Sequence, residues 1–139
     1  MTVATPAVPS ASEPTVGATY EEFLEYLRDP DTPGPVLSPK RFSLALHIDL
    51  QTLAELAHVH RNTITRAPGS ASIQQFLRAS LKVIKAGVDI SGEVSRALFW
   101  YRNDPLAAFG YKTAEQLVGE GRTEDVLRYT ASLEAGAAG

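Results

Sequence analysis

The chain lacks cysteine entirely, which excludes disulfides and thiolate metal sites. It has a single tryptophan and a single methionine in 139 residues. No apolar run approaches the ~20 residues that span a bilayer, and the first residues show no basic-then-apolar leader pattern. The default expectation is a cytoplasmic protein with no membrane partner. Catalytic signatures are missing too: there is no phosphate loop, nucleophile elbow or paired-carboxylate motif. Glu120, Glu124 and Asp125 read as turn and helix-start acids, not as an acid/base pair. His58 and His60 form an H-x-H pair, His47 is the third histidine, and no further ligand stands at a metal-binding spacing. Neither an enzyme nor a metal or cofactor is expected. Convincing apolar/polar alternation is also absent, so the fold should be all-α, with about seven or eight helices sharing one core.

Charge is present in ordinary amount, with a net value of −3, but it is segregated. Residues 1–37 carry six acids and one base, residues 38–102 nine bases and four acids, and residues 103–139 three bases and six acids. A basic middle between acidic ends points to two different kinds of partner.

Residues 1–18 are Ala, Pro, Thr, Ser and Val with one Glu, have no period, and offer too little apolar surface to offset ordering. They read as a disordered tail. Residues 19–37 read as a short helix and a Pro-rich linker. Thr19 and Glu22 form a capping box, and Tyr20, Phe23, Leu24 and Leu27 recur at i, i+3, i+4 and i+7. Such a short helix must dock, and its own domain is the expected surface. Asp29 to Ser38 holds three prolines and a glycine, a loop composition.

Residues 38–87 read as a helix-turn-helix region. Ser38 caps a helix with Pro39 in its first turn, running to about Leu46 with Phe42, Ala45 and Leu46 inward. Asp49 caps the next helix, about Leu50 to Ala57. The apolar positions Leu53, Ala57, Val59 and Ile64, with small Ala54 beside Leu53, are what a helix-turn-helix needs. Small Ala54 permits close crossing, Val59 plugs the turn and Ile64 anchors the second helix. His58 stands where such turns usually have glycine. The second helix, Arg61 to Ala67, is ended by Pro68-Gly69. Its outward residues Arg61, Asn62, Thr63, Thr65 and Arg66 can all bond a base edge or a phosphate, and none is acidic. The alternative is a solvated helix in a purely structural bundle. Ser72 to Gly87 forms the strongest single helix, with Ile73, Phe76, Leu77, Leu81 and Ile84 as its stripe and Arg78, Lys82 and Lys85 as a solvated basic line. Gly87 should end it. The apolar faces of Tyr20–Leu27 and Ile73–Ile84 exceed what one small domain needs, so a homodimer is expected.

Residues 88–139 form the C-terminal region. Ser91 should open a helix with Val94, Ala97, Leu98 and Tyr101 inward, stopping at Asn103-Asp104-Pro105. Pro105 fits the first position of a new turn capped by Asp104. Gly110 suits a left-handed helix end, and Thr113 starts a capping box with Gln116. Gly119-Glu120-Gly121 breaks that helix. Thr123 should cap the last one, with Val126, Leu127, Thr130 and Leu133 on one side and a tail released at Gly136. Locally, the aromatics around Trp100 read as the core corner where two helices meet.

Trp100 and Pro105, then Phe109-Gly110, Thr113 and Leu117-Val118, give a W-x-x-x-x-P…(F/L)-G-x-x-T-x-x-x-L-V run. Followed by one more helix and a Gly/Ala-rich end, this run resembles the toxin-binding domain of Xre/MbcA/ParS antitoxins over about Leu98 to Gly139, with weaker agreement back to Ser38. The resemblance implies an antitoxin of a type II module that covers the active site of an NAD-degrading RES-domain toxin and represses its own operon. It implies toxin contact by Trp100, Gly110, Tyr111, Lys112, Thr113 and the tail Gly136, Ala137, Ala138 and Gly139; Leu133 joins Trp100 and Tyr111 on the wider face. The expected partners are the toxin, operator DNA and a second copy or a larger hetero-oligomer. The chain departs from the family in its Ala137-Ala138-Gly139 end, which is slimmer than the apolar or aromatic ending common there. The alternatives are a stand-alone helix-turn-helix regulator whose C-terminal domain dimerises, and a scaffold that has lost both partners.

Overall fold

Capping residues spaced along the chain set where its helices begin. The computed structural model describes residues 15–138, and side chains as far as Gly136. Residues 1–14 of the tail expected over residues 1–18, the side chains of Ala137 and Ala138, and all of Gly139 lie outside the described residues. Thr15 to Gly17, read from sequence as part of that tail, form a turn, with Thr15 buried. The helices are α1 (Tyr20–Leu27), α2 (Pro39–Leu46), α3 (Leu50–Ala57), α4 (Arg61–Arg66), α5 (Ala71–Ser91), α6 (Val94–Asn103), α7 (Ala114–Gly119) and α8 (Thr123–Ala138). A 3-10 turn at Ala107–Phe109 joins α6 to α7, and the only pairings between extended segments among the described residues are two isolated bridges, Arg28 with Leu37 and Leu106 with Lys112. The all-α expectation holds. Among the described residues, no helix is long and apolar enough to cross a membrane.

Thr19 and Thr113 form full capping boxes, and the Ser38 and Asp49 side chains accept from Arg41 N–H and Thr52 N–H. All four lie where sequence puts them. Every helix gives the core at least one buried residue: Phe23 and Leu27 from α1, Phe42 from α2, Leu53 from α3, Ile64 from α4, Leu77 from α5, Tyr101 from α6, Leu117 from α7 and Val126 from α8. The longest helix, α5, spans about 31 Å at 1.5 Å per residue and is the axis that α2, α3, α6, α7 and α8 pack on, while α1 packs on α2 and α4 on α3. Buried Gln74 on α5 accepts from Leu37 N–H and donates to Leu37 O and Pro68 O, fastening the linker to the axis. The apolar faces of Tyr20–Leu27 and Ile73–Ile84 give Phe23, Leu27, Ile73, Leu77 and Ile84 to this core, while Tyr20 and Leu24 stay partly exposed.

Several expected boundaries move. Gly87 does not end α5, which continues to Ser91 and stops at left-handed Gly92. A Cβ at Gly87 would lie 3.1 Å from Trp100 Cε3 and 3.2 Å from Ala97 Cβ, so the glycine serves close approach of α6 instead. Accordingly α6 opens at Val94 behind Glu93, not at Ser91. Its inward set Val94, Ala97, Leu98 and Tyr101 is buried as expected. Pro105 starts no helical turn; Asp104 is extended and Leu106 N–H pairs with Lys112 O. The second helix of the helix-turn-helix ends at Arg66, and Ala67 leaves helical conformation. Thr123 is the first residue of α8, not its cap. Gly136 releases no tail, because the helix runs on to Ala138.

Candidate nucleic-acid interface and partner surface

The turn between α3 and α4 is built by histidines. His58 stands in the left-handed region at φ 58°, with its N–H on Glu55 O and Val59 N–H on Ala54 O. That is a Schellman ending with histidine in the glycine position. His47 ends α2 in the same way at φ 59°, with Ile48 N–H on Ser43 O. The His58 Nε2–H donates to Gly119 O at 2.6 Å. His60 then caps α4, its Nδ1 accepting from Asn62 N–H at 3.1 Å. Local spacing flagged His58; nothing in it marked His47 as left-handed or His60 as a cap.

The apolar positions of the expected motif fall on two helices joined by a turn. Ala54 and Ile64 are buried and Val59 half-buried, while Arg61, Asn62, Thr65 and Arg66 are exposed and Thr63 half-buried. The Thr65 hydroxyl donates to Asn62 O within the helix. Asp49 is held below the usual carboxylate range, chiefly by accepting the Thr52 N–H, with Arg61 adding a smaller favourable charge. Of the thirteen lysines and arginines, seven sit beside an acid: Arg28, Lys85, Arg96, Arg102, Lys112, Arg122 and Arg128. Among the described residues, the six others pair with no acid, and all lie between Lys40 and Lys82: Lys40, Arg41, Arg61, Arg66, Arg78 and Lys82. Arg41 is engaged otherwise, donating to Tyr26 O and lying 5.3 Å over the Tyr26 ring.

The C-terminal candidates divide into two groups. Trp100 and Leu133 line one cleft of about 320 Å³ together with Gly87, Ile90 and Tyr129, and Arg96 and Asp104 also line it. Ile90 and Leu133 remain exposed there, and the Trp100 ring closes the floor over Gly87. Gly110, Tyr111, Lys112 and Thr113 instead form the loop before α7. Gly110 and Tyr111 are both left-handed at φ 67°, Tyr111 N–H bonds Leu106 O, and Lys112 pairs with Glu120 at 2.7 Å. The Tyr111 side chain is 71% exposed, the most exposed aromatic among the described residues. Phe109 joins the two groups by a T-shaped contact with Tyr129, and Arg122 lies 5.2 Å over the Phe109 ring. Ile90 was missed because the sequence suggested a helix end at Gly87. Phe99, 69% exposed beside His47 and Val16, carried no signal beyond being aromatic. Among the described residues, no three His, Cys, Asp or Glu side chains gather in a metal-sized cluster. No protein-family model, curated protein or solved structure matches the chain.

Proposed function

We propose that the chain is an antitoxin of a type II module, binding operator DNA through α4 and a RES-type, NAD-degrading toxin through its C-terminal face. Among the described residues, the confinement of the acid-free cations to the stretch Lys40–Lys82, which contains a short exposed helix with no acid of its own, carries the first half. Cations left unneutralised on one stretch attract a polyanion, and arginines at both ends of a reading helix suit phosphates and base edges. The resemblance around Trp100 motivates the second half. It is supported by an apolar cleft at Trp100 and Leu133 and by an exposed Tyr111 held in a conformation costly for a non-glycine residue.

Replacing Arg61 and Arg66 together by Ala should weaken binding to the region upstream of the gene and flatten its salt dependence. A bidentate Arg–guanine contact supplies about 1–3 kcal/mol of discrimination. Gel-shift titrations at two salt concentrations, with helical content checked by circular dichroism, decide it: equal affinities refute the DNA assignment. Co-purification with the product of the neighbouring gene tests the toxin assignment. A second reading, a stand-alone regulator that dimerises, is favoured by the same cleft. Its apolar floor between one cation and one anion is self-complementary, and a dimer mass without any co-purifying toxin would select it.

A further inference from the structure

Helix α4 has six residues and a single buried anchor, Ile64. A helix that short does not persist alone, and one anchor fixes its position without fixing its rotation. The turn that delivers it is gripped from elsewhere in the chain. His58 donates from Nε2 to Gly119 O at 2.6 Å, across 61 residues, and Gly119 is the last residue of α7. A Cβ at Gly119 would stand 3.0 Å from Leu56 Cδ2 and 3.5 Å from Leu56 O, so α7 presses on α3 immediately before that turn. Glycine would adopt the left-handed conformation of His58 at lower cost; what glycine lacks is the ring N–H.

We propose that α7 aims the DNA-reading helix: the Gly119 carbonyl holds the turn through His58 in the orientation that projects Arg61 and Arg66 outward together. His58 is then a positioning residue for DNA binding, and α7 is shared between the two functional faces, since its capped start adjoins Lys112 and Thr113. This inference rests on the DNA reading of α4.

The test uses the full chain, a duplex covering the region upstream of the gene, and the variants His58→Gly, His58→Gln and Gly119→Ala, with Arg61→Ala/Arg66→Ala as reference. Anisotropy gives the affinity, and hydrogen exchange follows the amides of Arg61 to Ala67. His58→Gly should bind about three- to tenfold more weakly, as expected for one lost hydrogen bond, with faster exchange in α4. Gln has an amide N–H that reaches about as far as the imidazole, so His58→Gln should recover part of the affinity. Gly119→Ala should weaken binding in the same direction but less than His58→Gly, because its methyl meets the movable end of the Leu56 side chain at 3.0 Å and stands at an ordinary 3.5 Å from Leu56 O. A residue needed only for its left-handed backbone would give the opposite order, with Gly at least as good as His and Gln worst, and that order overturns the aiming role. If the three variants bind like wild type while the arginine pair variant does not, the aiming role falls and the DNA reading stands. A wild-type chain without DNA affinity removes both.

Discussion

Arg102 donates to Leu46 O at 3.1 Å and His47 O at 3.2 Å, and it meets the Glu115 carboxylate at 3.1 Å. One guanidinium thus fills the last carbonyls of α2 and neutralises an acid on α7. Glu115 is nevertheless held above the usual carboxylate range, because burial outweighs the attraction of Arg102. The pair specifies where α7 sits more than it stabilises the fold. Replacing Arg102 by Met strands a buried carboxylate and should cost about 3 kcal/mol, whereas the double variant with Glu115→Met should cost less. A folded pKa raised above the unfolded one contributes stability that is present below the unfolded pKa and lost as pH rises through the folded pKa. The deficit of the Arg102→Met protein should therefore shrink as pH falls through the carboxylate range. Urea denaturation of the three proteins at neutral and acid pH checks this; a constant deficit, or a double variant worse than the single, refutes it. Thr19, Ser38, Asp49 and Thr113 are legible as caps because a cap is satisfied within three residues of itself. Arg102 is not, since its partners stand 13, 55 and 56 residues away and no local pattern records them.

Among the helices, α3 and α4 were readable because the helix-turn-helix pattern is short and steric, and Ala54, Val59 and Ile64 occupy the roles their sizes suggest. Three of the boundaries that moved involve glycine or proline, residues with two uses. Gly87 and Gly136 were read as stops, yet both lie inside helices, the first because α6 needs the missing Cβ. Pro105 was read as a helix start and instead lies in an extended stretch that turns back on Lys112. The cleft suffered with them, since Ile90 lies beyond the misplaced stop. Gly87→Val should lift α6 from α5 and cost roughly 1–3 kcal/mol through overpacking. Trp100 packs over that position and is the only tryptophan, so its emission should shift to the red while the urea midpoint falls. An unchanged spectrum and midpoint would show that the two helices do not touch there.

For the molecule as a whole, the C-terminal end is the place where resemblance and structure diverge. Helix α8 carries Gly136 to Ala138 within it, so these small residues continue the helix and are no loose thread. On the antitoxin proposal, small residues bury little area at ~25 cal/mol per Å², so toxin affinity would come from the face around Trp100, Tyr111 and Leu133. Deleting Gly136 to Gly139 should leave toxin capture intact and restore NAD consumption; full silencing by the truncated chain would move inhibition to the aromatic face. The bonds that close the fold also set how it must be made. Tyr20 to Leu81 and His58 to Gly119 each join residues 61 apart, and Arg102 to Leu46 residues 56 apart. An up-and-down bundle closes short loops and folds fast, but these closures demand long ones before the core seals. Helices of six and eight residues cannot wait in finished form for partners that arrive half a chain later. A nascent or partly opened chain therefore presents no formed α4, and on the DNA proposal operator binding belongs only to the completed molecule.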